Sequence, residues 1–200
     1  MLYYERKLKK QGFDLIIGVD EAGRGPLAGP VVAAAAVLKT RRFKNRIDDS
    51  KKLTSGQRER AFLEIQEKAV FGLGIISEKI IDRSNILVAT RLAMKKAIVG
   101  LLEKLGQQKA KNIHVLVDGN TGLETGFATT HIIKGDSRSI SIACASIVAK
   151  VTRDRLMSLY DRMFPEYGFL RHKGYPTLAH RQAIRRFGLS GIHRNTFCGV

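Results

Sequence analysis

The chain has 200 residues, 44% of them hydrophobic, which is enough for one domain with a proper core. Thirty-five Lys and Arg against 18 Asp and Glu leave a net charge of +17 and a pI near 10.2, an excess that points to a polyanionic partner because neutralising phosphates releases counterions. No apolar run reaches the roughly 18 residues that span a bilayer, Met1–Lys10 is basic without the apolar stretch of a secretion signal, and Cys144 and Cys198 show neither metal spacing nor a disulfide framework; a monomeric cytoplasmic protein with no membrane attachment is expected.

Asp14–Asp20 is a short apolar run ending in acid and reads as a strand, followed by a Gly- and Pro-rich loop over Glu21–Pro30. Val31–Leu38 reads as a fully buried strand and Thr40–Lys52 as a basic surface loop. Ser55–Val70 opens on a capping residue and places Ala61, Phe62, Ile65 and Ala69 at helical spacing. Phe71–Ile76 is a strand and Ser84–Leu105 a long helix. Ile113–Val117 is a buried strand ending on Asp118, and His131–Ile133 a short one leading into Lys134–Asp136. Ile140–Phe164 is a second long helix whose small opening residues, Cys144 among them, allow close packing on a sheet. Gly168–Pro176 is a loop and Thr177–Phe187 a basic helix. This order predicts a layered α/β domain around one central sheet, with early strands antiparallel, later ones parallel through helical crossovers, and a small helical tail.

Acids recur just beyond the apolar strands: Asp20 with Glu21, Asp118, and Asp136. Taken singly, Asp118 in DGN reads as a turn residue and Asp136 as a helix cap. Taken together, they would repel one another at one end of a sheet unless a cation joined them, and oxygen ligands without Cys or His favour Mg²⁺ or Mn²⁺. No histidine pair has ligand spacing; His114 alternates with apolar strand residues and reads as structural, while His172 is weighed as a phosphate neighbour. Gly23–Arg24–Gly25 directly follows the first acid pair; it is neither a P-loop nor a dinucleotide fingerprint, and reads either as a tight strand connection or as a substrate clamp. In the tail, Arg171, Lys173, Arg181, Arg185 and Arg186 surround Tyr175, a ring that could stack on a sugar or base while its neighbours hold phosphates.

The blocks GVDEAGRGPLAGPVVAAAAVL (Gly18–Leu38), DDSKKLT (Asp48–Thr54), VDGN (Val117–Asn120), KGDS (Lys134–Ser137), ASIVAKVTRD (Ala145–Asp154), HKGYPT (His172–Thr177) and HRNTF (His193–Phe197) occur in the order of the ribonuclease HII signatures, so the chain resembles that family from about Asp14 to Phe197. The stretch GLSG (Gly188–Gly191) departs from it where members often carry a proline. The resemblance implies a ribonuclease H-like fold: a central mixed β-sheet flanked by helices over residues 1–165, with a small C-terminal helical, substrate-binding region over 166–200. It also implies an endoribonuclease acting on the RNA strand of RNA–DNA hybrids and on ribonucleotides embedded in duplex DNA, cutting on their 5′ side to leave 3′-hydroxyl and 5′-phosphate ends. Asp20, Glu21, Asp118 and Asp136 become the catalytic residues and the ligands of two Mg²⁺ or Mn²⁺ ions bridged by Asp20. Gly23, Arg24 and Gly25 are expected to sense the ribose 2′-hydroxyl, Tyr175 to pack on the deoxyribose that follows, and Lys51, Lys134, Ser146 and Arg153 to contact phosphates. Two rival readings remain at this point. A non-catalytic RNA- or ribosome-binding protein fits the charge but not the acids at strand ends; a metal-dependent DNA nuclease or recombinase on the same fold fits both.

Overall fold

The computed structural model describes residues 1–106 and 112–198. Helix α1 (Tyr3–Lys10) leads into strands β1 (Leu15–Ala22) and β2 (Val31–Leu38), and helix α2 (Ser55–Lys68) follows a 3₁₀ turn at Ser50–Lys52. Strand β3 (Ala69–Ile76), helices α3 (Glu78–Arg83) and α4 (Ile86–Leu105), and strands β4 (Ile113–Asp118) and β5 (Ala128–Ile132) come next. A 3₁₀ turn at Gly135–Ser137 precedes the long helix α5 (Ile140–Met163); α6 (Phe169–His172), α7 (Leu178–Phe187) and α8 (Asn195–Cys198) complete the chain.

The five strands form one mixed sheet in the order β3-β2-β1-β4-β5. The β1–β2 and β2–β3 pairs are antiparallel, and β1–β4 and β4–β5 are parallel, as the short early and long later connections predict. Alternation along the strands sends Ile17, Val19, Val115 and Val117 onto α4, against Ala93, Met94 and Ala97. The opposite face receives α2 and α5, where Ala34 and Ala36 meet Phe62, Ile65, Cys144 and Ile147. Contact with α5 is close because the strand offers no side chain there: a Cβ on Gly18 would collide with the backbone of Ser141 and Ile142. Among the described residues no helix is long and apolar enough to cross a membrane.

Among the described residues four short helices, α1, α3, α6 and α8, lie where the sequence pattern showed none. Helix α1 is anchored by buried Glu5, whose Oε1 accepts from Ser139 Oγ (2.6 Å), Ser141 Oγ (2.8 Å) and Ser141 N (3.1 Å). An acid there favours the positive N-terminal end of α5, but its partners lie more than 130 residues away and leave no local mark. Helix α3 has six residues, α6 falls inside the stretch read as loop, and α8 has four residues. The cap of α5 is Ser139, whose Oγ accepts from Ile142 N (3.3 Å), so Asp136 is not spent on that end.

Candidate active site

Parallel pairing of β1 with β4 aligns Val19 with Val117, so the next residues lie side by side on the face covered by α5: Asp118 ends β4, while β1 runs two residues past Asp20 to Ala22, beyond the strand end expected at Asp20. Strand β5 carries the chain to Lys134, whose left-handed backbone (φ 55°) turns Gly135–Ser137 back toward those strand ends. Asp118 Oδ1 accepts from Gly135 N at 2.6 Å, which ties the turn to β4 in place of the local Asp turn that DGN suggests. Asp20, Asp118 and Asp136 thereby offer oxygens that all lie within 4.8 Å of one another.

Glu21 does not join that group, because one step along a strand points a side chain to the other face. It lines the same cleft, with Oε1 accepting from Arg24 Nη1 at 3.4 Å and a buried Oε2 that has no partner among the described residues. Burial, then the charges of Glu21 and Asp118, raise the Asp20 carboxyl well above the ordinary range, against its bonds from Ser146 and the Glu21 N–H. Burial also raises Glu21, with Arg24 opposing. Burial followed by Asp118 and Asp49 lifts Asp136 to about 6. Burial works to lower the Lys51 ammonium, but Asp49, Asp20, Asp136 and Asp118 outweigh it and raise the group. A site of crowded oxygens, raised acids and one buried carboxylate oxygen without a donor fits a hard divalent cation.

Above these acids opens a cleft of about 570 Å³ lined by Glu21, the Gly23–Gly25 loop, Lys51, Asp118, Ser146, Lys150, Arg153 and Tyr175. Gly23 has φ 98°, and a Cβ there would strike the Arg153 side chain and the Pro30 carbonyl, so only glycine fits. Tyr175, 42% exposed, stands across from Gly25, with its ring 3.8 Å from where a Cβ on that residue would be. Ser146 is buried and bonds Ser50 Oγ at 3.0 Å. Lys134 is exposed and lies outside the cleft lining.

Two expectations for single residues change. Arg153 is fully buried: Nε donates to Pro30 O (3.0 Å), Nη1 to Lys173 O (2.9 Å) and Nη2 to Ala28 O (3.1 Å), so its guanidinium braces the loop from beneath instead of reaching for a phosphate. His172 likewise packs inward, bonding Tyr167 O (2.8 Å) and accepting from Gly174 N (3.2 Å). His114 is structural as read, at 2.8 Å from Thr130 Oγ1.

The sequence reading passed over Arg194 and Lys150. Arg194, fully buried, donates to Gly23 O (2.6 Å), Arg24 O (3.0 Å) and Gly29 O (2.7 and 2.9 Å), and so holds the glycine loop from the far end of the chain. Its signal was the HRNTF block, where an arginine among polar residues gives no hint of burial. Lys150 lines the cleft and pairs with Asp154 at 2.6 Å.

A mixed sheet whose parallel central pair gathers carboxylates beneath a basic, glycine-lined cleft defines a cation-dependent nuclease of the layered α/β type. Residues 17–200 match the family model for ribonuclease HII, and the chain belongs to that family. It is 52% identical over 198 residues to a ribonuclease HII of Ruminiclostridium cellulolyticum, covering 98% of this chain and 75% of that protein. It is 49% identical over 200 residues to one from Syntrophotalea carbinolica, covering 100% and 92%. The solved PCNA:RNase HII complex from Archaeoglobus fulgidus has a chain that superposes with a TM-score of 0.73 at 25% identity, covering 90% of this chain and 94% of that one. The fold is ribonuclease H-like, and the protein is a hydrolytic ribonuclease of a metal-dependent family that acts on RNA–DNA hybrids.

Proposed function

We propose that the protein cuts on the 5′ side of ribonucleotides, both within RNA–DNA hybrids and where one ribonucleotide is embedded in duplex DNA, leaving 3′-hydroxyl and 5′-phosphate ends. The observation that carries this reading is the convergence of Asp20, Asp118 and Asp136 within 4.8 Å, with Asp118 lining a cleft whose rim is the Gly23–Gly25 loop and Tyr175. Asp20, Glu21, Asp118 and Asp136 are the residues that would hold two divalent ions, Mg²⁺ or Mn²⁺. When bound, such ions supply Lewis acidity toward the phosphate and lower the pKa of a coordinated water.

The chain's own residues do the selecting. Backbone amides of Gly23–Gly25 approach the sugar without side-chain hindrance, and the 2′-hydroxyl they meet serves recognition, not attack. Tyr175, held opposite Gly25, packs on the deoxyribose that follows. Arg24 and Lys51, both on the cleft wall, neutralise the phosphate, and the Arg24–Glu21 pair places one of them beside the acids. Ser146 steadies Asp20, and Lys134, exposed just before Asp136, reaches the flanking backbone. In this reading residues 1–165 form the catalytic body and residues 166–200 the substrate-binding region packed on it through Ala28, Met157 and Phe169.

The test is Asp118→Asn, assayed on a uniform hybrid, a duplex with one ribonucleotide and an all-DNA duplex, with Mg²⁺ and with chelator. Cleavage should fall by about 10²–10³-fold, the scale of losing a key charge stabiliser, while hybrid binding is kept. Near-normal cleavage by the variant would remove the metal role, and equal cleavage of all-DNA duplex would point to a general nuclease.

A further inference from the structure

Beneath the rim, the loop that presents Tyr175 is held through three successive carbonyls. Lys173 O accepts from Arg153 Nη1 (2.9 Å), Gly174 O from Leu27 N (2.8 Å) and Tyr175 O from a ring nitrogen, His180 Nδ1, at 2.9 Å. Such fastening matters because Lys173 (φ 53°) and Gly174 (φ 84°) both adopt left-handed backbone, which for lysine is uncommon and needs support.

His180 is buried at 0% exposure, and its Nε2 lies 3.0 Å from His193 Nε2, itself 3% exposed. Two ring nitrogens at that distance require one proton between them, and the backbone decides whose it is. Ser190 N–H points at His193 Nδ1 (2.9 Å), so Nδ1 is the acceptor and the neutral ring carries its proton on Nε2. His180 Nε2 must then accept, which leaves its proton on Nδ1, directed at the Tyr175 carbonyl. Donation runs in one direction through both rings: Ser190 N–H to His193, His193 to His180, His180 to Tyr175. His172, stacked on His180 with centroids 4.4 Å apart, has its own nitrogens occupied by Gly174 N and Tyr167 O, so the trio leaves no ring nitrogen for a metal. Burial lowers His180, and burial with His180 beside it brings His193 down to about 4, so both rings are neutral at pH 7.

We propose that His193 and His180 are positioning residues, a relay with fixed tautomers that clamps the Tyr175 carbonyl and so sets how firmly its ring faces the RNA–DNA junction. The inference rests on the reading of Tyr175 as the junction-facing residue and adds the element that holds it there. It also accounts for two buried histidines, in HKGYPT-distal and HRNTF positions, that touch neither the acids nor the cleft.

Nitrogen-15 NMR on the full chain tests the tautomers directly: His180 should be protonated at Nδ1, the rarer form in solution, and His193 at Nε2. Either ring in the opposite tautomer overturns the relay. Kinetics on a duplex with one ribonucleotide then compare His193→Phe, which keeps the ring volume but donates nothing, with His193→Gln, whose amide can both accept and donate. The phenylalanine variant should lose about tenfold in kcat/KM on that duplex, the worth of one buried hydrogen bond, and less on a uniform hybrid; the glutamine variant should recover most of it. Equal activity of His193→Phe and the parent, or no recovery by glutamine, overturns the proposal. Tyr175→Ala, run alongside, separates the two claims: if it leaves the junction substrate untouched, the role of Tyr175 falls and the relay's functional part with it, whatever the tautomers.

Discussion

Beside the cleft, Asp20 and Asp136, each 5% exposed, crowd against the cleft-lining Asp118 with few donors between them; under its rim, Arg153 and Arg194, each 0% exposed, donate to one carbonyl after another. Both regions bury charge, which is costly unless it is compensated. The arginines meet that cost within the fold, through bonds to Pro30, Ala28, Lys173, Gly23, Arg24 and Gly29. Burial shifts both sets, raising Asp20, Glu21 and Asp136 and lowering Arg153 to about 10 and Arg194 to about 9; the acids differ in that three of their carboxylates crowd together and Glu21 Oε2 has no partner among the described residues. The contrast separates charge buried to hold a backbone from charge buried to bind something, and it is the second that marks a site.

Neutralising an acid should have the largest effect. Asp20→Asn should reduce cleavage by about 10²–10³-fold, yet raise the melting temperature measured in chelator by about 2–4 °C, because repulsion among the acids is relieved. Added Mg²⁺ should stabilise the parent and leave the variant nearly unchanged. A variant that melts lower than the parent without metal would show that Asp20 is a structural acid.

Arg194→Met should behave in the opposite sense. It strips the Gly23, Arg24 and Gly29 carbonyls of their donor and should cost about 3 kcal/mol in denaturant unfolding, with or without Mg²⁺. A loss confined to the metal-bound protein would place Arg194 with the site and not with the scaffold.

A smaller effect comes from pH. Asp136 titrates at about 6 in the fold and near the ordinary aspartate value when unfolded, so between these the folded form binds more protons and stability falls as pH rises. The metal-free protein should therefore be more stable at pH 4 than at pH 7 as far as Asp136 contributes, and the difference should shrink in Asp136→Asn, leaving the part that the raised Asp20 and Glu21 contribute in the same sense. Cleavage should fall as the pH is lowered and recover with more Mg²⁺, because a proton and the cation compete for the Asp136 carboxylate.

The long elements were legible because their patterns are local: Val31–Leu38 is a strand over those same residues, and Ile140–Phe164 differs from α5 by one residue. Helices α1 and α6 were not, since α1 owes its place to a bond from Glu5 to residues at the start of α5, and α6 is a single turn inside a Gly-bounded segment. The acids could be picked out by their place after apolar runs. That Asp20 and Asp118 share one face while Glu21 leaves it follows from strand register, which no single segment contains.

By itself the sequence determined the α/β alternation, the basic surface, the acids at strand ends and the family resemblance, because each is written in neighbouring residues or in overall charge. Only the tertiary structure decided that Arg153 and Arg194 look inward, that His193 and His180 line up beneath Tyr175, and that the carboxylate of Asp20 falls within 4.8 Å of those of Asp118 and Asp136, which lie far along the chain from it. The physical reason is that the cost of burying a charge, and what offsets it, are set by partners the chain brings from elsewhere.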